Sequence, residues 1–309
     1  MDINGLASQW KLARTDSSVI NCSVFRLKGG IFMRIQFLGT AAAEGWPALF
    51  CTCNNCQRAR ELKGKNYRSR AQVLINDDLI FDFGPDSFYH AMAFDLDFSK
   101  IQTVLMTHSH MDHLYPLDLI LRGIPYAYDR DKNKMTIYGN EKCEALYNRM
   151  LVEEDDSANL KDCIDYSVIK AFEGFKSHGY DILPLQAQHD PRESCLVYSL
   201  TDKDGKRLFY GNDTGDITEE TWKHIKSLYF DVVSLDCTMG GTPGCKSHMG
   251  LEETIILRNK MLEVGCADEN TKFVITHFSH NGCLLHHELE EKVKDLGMLV
   301  AYDGMILDI

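Results

Sequence analysis

Residues 107–113 read THSHMDH, which brings His108, His110, Asp112 and His113 together in one short segment. Imidazole nitrogen and carboxylate oxygen are the donors that zinc and related divalent ions take. At an extended strand end, side chains two residues apart point to the same side, so His108 and His110 would face one point together. The turn that follows can aim Asp112 and His113 at a neighbouring point. Four donor residues this close imply two metal sites. A merely histidine-rich loop is the competing reading, and it is the weaker one because the segment directly follows the apolar run TVLMT.

The elements that would position these residues can be read from the rest of the chain. MRIQFLGT, from Met33, reads as a strand entering a glycine turn, and Met33 itself reads as a plausible start. Residues 1–32 then form either an extension or an extra strand and helix on the core. AQVLIND and LIFDFGP read as a hairpin, as do SCLVYSL and KRLFYGN. GYDILPLQAQH, FDVVSLDCT and KFVITHFS read as strands, and MLVAYDGMILDI as a closing pair. HLYPLDLILRG, EKCEALYNRMLVEED, TEETWKHIKSL, GLEETIILRNKMLEVG and LLHHELEEKVKDLG read as helices. The order predicts an α/β chain of sheets with helices on their outer faces. Apolar strands repeatedly end in His or Asp, at His108, His189, Asp213, Asp236 and His277. A rigid sheet positions such groups well, and the adjoining loops leave them accessible.

Composition narrows the function classes. With 33 Lys and Arg against 45 Asp and Glu, the 309-residue chain has a formal charge of −12. That argues against generic binding to a nucleic-acid backbone, which needs clustered basic residues. It leaves room for a small anionic substrate, because bound divalent ions reverse the field locally. No apolar run reaches the ~18–20 residues of a membrane span, and the first residues lack a signal-peptide core. These features give the expectation of a cytoplasmic protein without membrane partners. The 11 cysteines are mostly scattered, as buried thiols in a reducing compartment are.

The HxHxDH segment after a strand resembles the hallmark of the metallo-β-lactamase superfamily, and the resemblance extends over residues 33–309. It implies a single αββα domain there, with two mixed sheets flanked by helices. It also implies two divalent ions, zinc, manganese or iron: one held by His108, His110 and His189, the other by Asp112, His113 and His277, with Asp213 bridging. His178, in the loop EGFKSHGYD, is the rival to His189 and reads as a surface residue. A bridging hydroxide would be the nucleophile. Asp82 resembles the aspartate that orients a ligand in this superfamily. A turn aspartate capping its own backbone is the alternative, and Asp236 has the same two readings.

Cys51, Cys53 and Cys56 form CxCxxC, and three thiolates this close want a fourth ligand to complete a tetrahedral zinc. His280, three residues beyond His277, is the candidate, with Cys283 the weaker rival and a redox or incidental cluster the alternative. CTCNNCQRAR, HFSH and AYDGM are similar to the PhnP-type phosphodiesterase branch. That resemblance implies a structural zinc and cyclic ribose phosphates as the substrate class. It also implies a further histidine at the phosphate or leaving group, matched here by His248, which lies between the loop GGTPGCKS and a helix. A helix-capping surface histidine is the bland reading. The branch is also compatible with a homodimer. Four other readings compete: a PqqB-like cofactor-biosynthesis protein, an RNase Z-like nuclease, a thioester hydrolase and a silent zinc-binding module. Residues 150–165 are acidic and read as a solvated face or an insertion at the entrance.

Overall fold

Short runs rich in Val, Ile, Leu and aromatic residues assemble into two sheets of seven strands, as such residues pack well on a pleated surface. The computed structural model describes residues 33–128, 134–153 and 160–309. The extension 1–32 and the centre of the acidic stretch, 154–159, lie outside the described residues. Phe32–Ile309 forms one compact unit.

The first sheet runs in the order β14-β1-β2-β3-β4-β5-β6. Its strands are β1 (Arg34–Gly39), β2 (Gln72–Ile75), β3 (Leu79–Phe81), β4 (Thr103–Leu105), β5 (Met135–Gly139), β6 (Ile164–Val168) and β14 (Met305–Asp308). The second runs β13-β12-β11-β10-β9-β8-β7. Its strands are β7 (Phe175–Ser177), β8 (Tyr180–Gln186), β9 (Leu196–Thr201), β10 (Arg207–Gly211), β11 (Val232–Asp236), β12 (Lys272–Thr276) and β13 (Met298–Val300). Each sheet is antiparallel in one half and parallel in the other, changing at β3 and at β10.

One apolar layer lies between the sheets. Ile35, Phe37, Val73, Ile75 and Phe81 meet Tyr198, Leu200, Leu208, Tyr210 and Val274, all buried. Phe81 stacks on Tyr210 with centroids 4.0 Å apart, a geometry worth about 0.5–1.5 kcal/mol beyond burial alone. The outer layers are helical. Cys143, Tyr147 and Met150 of α3 (Glu141–Glu153) cover the first sheet. Residues of α1 (Asn54–Leu62), of helix Glu219–Ile225 (α4), of Leu251–Glu263 (α5) and of His286–Val293 (α6) cover the second. A further short helix, α2, spans Ser87–Ala93. The result is the αββα sandwich that the sequence predicted.

Two local expectations are corrected. The segment read as a helix around 116–122 is a 3-10 helix, Pro116–Arg122, in which Leu119 alone is buried. Leu117 and Ile120 pack only partly buried beside it, and so short a run settles into the tighter 3-10 form. The closing strands do not pair with each other: β13 pairs with β12 and β14 with β1. The chain crosses between sheets at Asp303, whose carboxylate accepts from Thr40 Oγ1 and from the Ser69 amide, and at Gly304, whose φ is +86°. Of the acidic stretch 150–165, the described residues are the end of α3, residues 160–163, and the first two residues of the edge strand β6, where Asp165 is exposed.

Candidate metal centre

The parallel halves of the sheets aim the carboxyl ends of β3, β4, β10, β11 and β12 at one place, where open α/β sheets carry their sites. β8, two antiparallel steps from β10, ends at the same edge. Asp82 follows β3, the THSHMDH segment follows β4, His189 follows β8, Asp213 follows β10, Asp236 ends β11 and His277 follows β12. Two bonds tie the sheets together here: the Leu196 amide donates to Thr107 O at 2.9 Å, and the Tyr198 hydroxyl donates to Met106 O. Asp82, Asp213 and His277 all have left-handed backbones, with φ of +63°, +57° and +62°. Non-glycine residues take that conformation only when their surroundings impose it.

The side chains gather into two donor sets that share Asp213. His108, His110, His189 and Asp213 form one, and Asp112, His113, Asp213 and His277 the other, with donor atoms within 4.8 Å of one another in each. Asp213 Oδ2 lies 3.3 Å from His108 Nε2, 3.0 Å from His113 Nε2 and 3.6 Å from His277 Nε2. His178 stands elsewhere, exposed in the turn between β7 and β8.

The outward nitrogens of the rings decide what the inward ones can do. Thr107 Oγ1 donates its proton to Asp82, so it can only accept from His108 Nδ1, 3.0 Å away. Thr238 Oγ1 donates to Asp236 and accepts from His277 Nδ1 at 2.8 Å in the same way. His113 Nδ1 donates to Asp82 Oδ2 at 2.7 Å, and His189 Nδ1 to Ser247 O at 3.2 Å. His110 Nε2 donates to Asp190 Oδ2 at 3.0 Å. Every ring therefore turns its other nitrogen inward. His110 Nδ1 and His189 Nε2 face each other at 3.1 Å, both as lone pairs. The buried Nε2 atoms of His108, His113 and His277 have no hydrogen-bond partner. Buried lone pairs turned on one another repel unless a cation lies between them, so the residues fit divalent ions.

Electrostatics follow the same crowding. Burial, reinforced by the neighbouring His113, holds His108 well below the usual imidazole range. Burial works against charge on His113 too, but Asp112 and Asp82 outweigh it and push that ring well up. Asp213 is held well below the carboxylate range despite burial, chiefly by His277. His248 lies at the rim with Nδ1 3.2 Å from Asp236 Oδ2 and 3.0 Å from Asp213 Oδ1. These two carboxylates overcome its burial and push it up to about 11. Asp236 also accepts from the Thr238 and Met249 amides. Asp82 therefore holds a ring of the second donor set rather than capping its own turn, whereas Asp236 does both, capping its own turn at the Thr238 amide and holding His248 and the Thr238 hydroxyl behind His277.

The profile of the Anti-Pycsar protein Apyc1 family matches residues 60–279. The chain belongs to that family. The matched stretch contains both donor sets and His248, while the cysteine cluster precedes it and His280 lies one residue beyond. Coenzyme PQQ synthesis protein B of Methylococcus capsulatus is 23% identical over 312 residues, spanning 88% of this chain and 99% of that protein. Among solved structures, a diphosphatase from the PhnP family superposes with a TM-score of 0.69 at 21% identity, covering 90% of this chain and 98% of its own. The metallo-β-lactamase fold protein YhfI of Bacillus subtilis superposes at 0.61 and 16% identity, covering 90% and 100%. This Apyc1-family chain has the metallo-β-lactamase fold.

In this family member Cys51, Cys53, Cys56 and His280 also converge within 4.8 Å. His280 Nδ1 lies 3.4 Å from Cys53 Sγ and 3.7 Å from Cys51 Sγ. The Cys56 amide and His280 lower the Cys53 thiol to about 6, while burial raises Cys56 to about 12. Three sulfurs and one imidazole fit tetrahedral zinc. Cys283 stays outside the cluster, its thiol on Asn281 O. The sequence reading missed the residues that hold the donor side chains in place: Thr107, Thr238, Ser247, Asp190 and Glu193. Only adjacency to a ligand motif marks them.

Proposed function

We propose that the chain is a two-metal phosphodiesterase acting on a small cyclic phosphodiester. The observation that carries this reading is the pair of donor sets sharing Asp213, with every imidazole turned inward by an outside partner. His108, His110 and His189 would hold one ion, Asp112, His113 and His277 the other, and Asp213 both. Two such ions would supply Lewis-acid neutralisation of phosphate charge and an acidified water. The protein's own part in the reaction falls to His248. Asp236 and Asp213 occupy its Nδ1 side, which leaves Nε2 to meet a leaving oxygen and give it a proton. The family name describes a protein that counteracts Pycsar, and an enzyme that consumes a small phosphodiester acts by removing a molecule. The cysteine cluster would hold a structural zinc.

The test is turnover of bis-p-nitrophenyl phosphate and a panel of cyclic nucleotides and cyclic ribose phosphates by manganese- or zinc-loaded protein. Asp112→Ala should abolish turnover. His248→Ala should lower kcat about 100-fold or more while ion content stays intact. A fully loaded protein that leaves every diester untouched refutes the reading. The similarity to PQQ synthesis protein B supports a second one, and binding of a single iron with oxygen consumption would favour it. Thioester cleavage alone would point to the thioesterase reading.

A further inference from the structure

His110 is the least enclosed imidazole of the first donor set. Its side chain is 35% exposed, against 1% for His108 and 6% for His189. Packing therefore does little to fix this ring, and its orientation rests on the contact to Asp190. That carboxylate is itself held firmly, with 4% of the side chain exposed. The Arg192 amide and Nε donate to its Oδ1, both at 2.9 Å, and Arg192 Nη2 to its Oδ2 at 2.6 Å. Three residues on, Glu193 accepts from the Ser109 amide at 3.0 Å, from Ser109 Oγ at 2.6 Å and from Asn140 Nδ2 at 2.8 Å. Two acids from the turn that carries His189 thus grip consecutive residues of the HxHxDH segment. His110, Asp190 and Glu193 are close enough to be taken for a third ion site. Their carboxylates, however, already face Arg192, Lys142 and the Ser109 donors, so they act as a latch.

We infer that Asp190 is the positioning residue of the first ion. It fixes the His110 ring with Nε2–H outward and Nδ1 inward, and together with Glu193 it locks the His108–His110 segment to the His189 turn. The inference rests on the two-metal reading above. A free imidazole can exchange tautomers and rotate, and each inward Nδ1 arrangement lost is lost to the ion. Outer partners of metal-bound histidines typically matter by ~10–100-fold in affinity. The effect should fall on the first donor set and spare the second, whose rings are held by Asp82 and Thr238.

The experiment is titration of metal-free wild type, Asp190→Ala and Asp190→Asn with Co2+. Visible absorption is followed, with chelator competition resolving the two catalytic ions from the cysteine site. Asp190→Ala should weaken one catalytic ion ~10–100-fold and leave the other within twofold. Asp190→Asn, which still accepts from Nε2–H but carries no charge, should recover part of that loss. The melting temperature of the metal-free protein should not follow this order. Equal weakening of both ions overturns the inference, as does unchanged affinity with a lowered metal-free melting temperature. Should Asp190→Ala not fold, the Asp190→Asn comparison decides alone. Wild type that binds no ion outside the cysteine cluster would refute the two-metal reading itself, a result separable from either of these.

Discussion

A single methyl group placed on Gly84 should uncouple the second donor set. Asp82 and Phe83 lead from β3 into Gly84, and the backbone there pairs with the ligand segment: Phe83 N donates to His113 O at 2.8 Å, and Tyr115 N to Phe83 O at 2.7 Å. A Cβ on Gly84 would stand 2.0 Å from Asp112 O and 3.0 Å from Asp112 C. Carbon and oxygen pack no closer than about 3.2 Å, so one side must retreat by roughly 1 Å. The Ser87 amide and hydroxyl hold Gly84 O at 3.1 and 2.7 Å on its own side, and the displacement falls on Asp112 and His113, both in the second donor set. A misplacement of about 1 Å at a reacting centre costs on the order of 100-fold in rate. Overpacking itself costs about 1–3 kcal/mol, roughly 2–4 °C of melting temperature for each kcal/mol in a domain this large. Gly84→Ala should therefore fold, melt a few degrees lower, lose affinity for one catalytic ion and turn over diesters ~100-fold more slowly. Gly123→Ala is the control, because the nearest atoms to its new Cβ lie at 3.4 Å. Wild-type turnover and ion content in Gly84→Ala would refute the reasoning, as would an equal loss in the control.

Two further predictions follow from contacts away from the two donor sets. Phe278 joins His277 to His280 through Ser279, and it is tied to the first strand's exit by its amide on Thr40 O and its carbonyl on the Ala42 amide. Cys56→Ser should lower the zinc count by one and the melting temperature by about 5 °C or more, since a structural zinc contributes folding free energy directly; an unchanged zinc count by elemental analysis would refute the site. Arg68 Nη2 donates to His286 Nδ1 at 2.9 Å, which requires that ring neutral, and burial together with Arg68 lowers it to about 4. Its charged form is disfavoured in the fold, so the stabilisation is complete above the unfolded value near 6.5 and is lost as pH falls from there towards 4. Between pH 7 and pH 5, urea unfolding should show a loss about 2 kcal/mol larger in wild type than in His286→Gln, since other buried histidines titrate in both; equal losses in the two proteins would refute it.

The donor sets were legible in the sequence because their chemistry is rare and their positions are regular. Histidine occurs 12 times in 309 residues, and His189, Asp213 and His277 each stand just past an apolar run that had to become a strand. The strand ends then had to converge, because parallel strands feeding helices on the outer faces leave one common carboxyl edge. The cysteine cluster was legible for the same reason, its spacing placing thiols on one short turn. β7, three residues within the segment read as the loop EGFKSHGYD, carries too little pattern to distinguish a strand from a loop. The pairing of Arg34 with Asp308 joins residues at opposite ends of the described chain and has no local signature.

Asp190 and Glu193 were illegible for a different reason. Asp and Glu make up 45 positions of the chain, so a carboxylate carries almost no information by type, and these two act only through a meeting with Ser109 and His110 some 80 residues earlier. The same holds for Thr107 and Thr238, small hydroxyls whose significance lies in which neighbour receives their single proton. Donor atoms can be counted from a sequence, but whether a histidine offers a lone pair or a proton to the centre is settled by the group on its far side. Five rings in this fold each meet a partner that forces the lone pair inward: Asp82, Thr107, Thr238, Ser247 O and Asp190. Two of those partners are hydroxyls that must first give their own proton to Asp82 or Asp236. Four of the five tautomers are thus set, directly or through a hydroxyl, by the carboxylates of Asp82, Asp190 and Asp236, and a variant at Asp236 should disturb His277 and His248 together, whereas one at Asp190 should act through His110 and leave both of those in place.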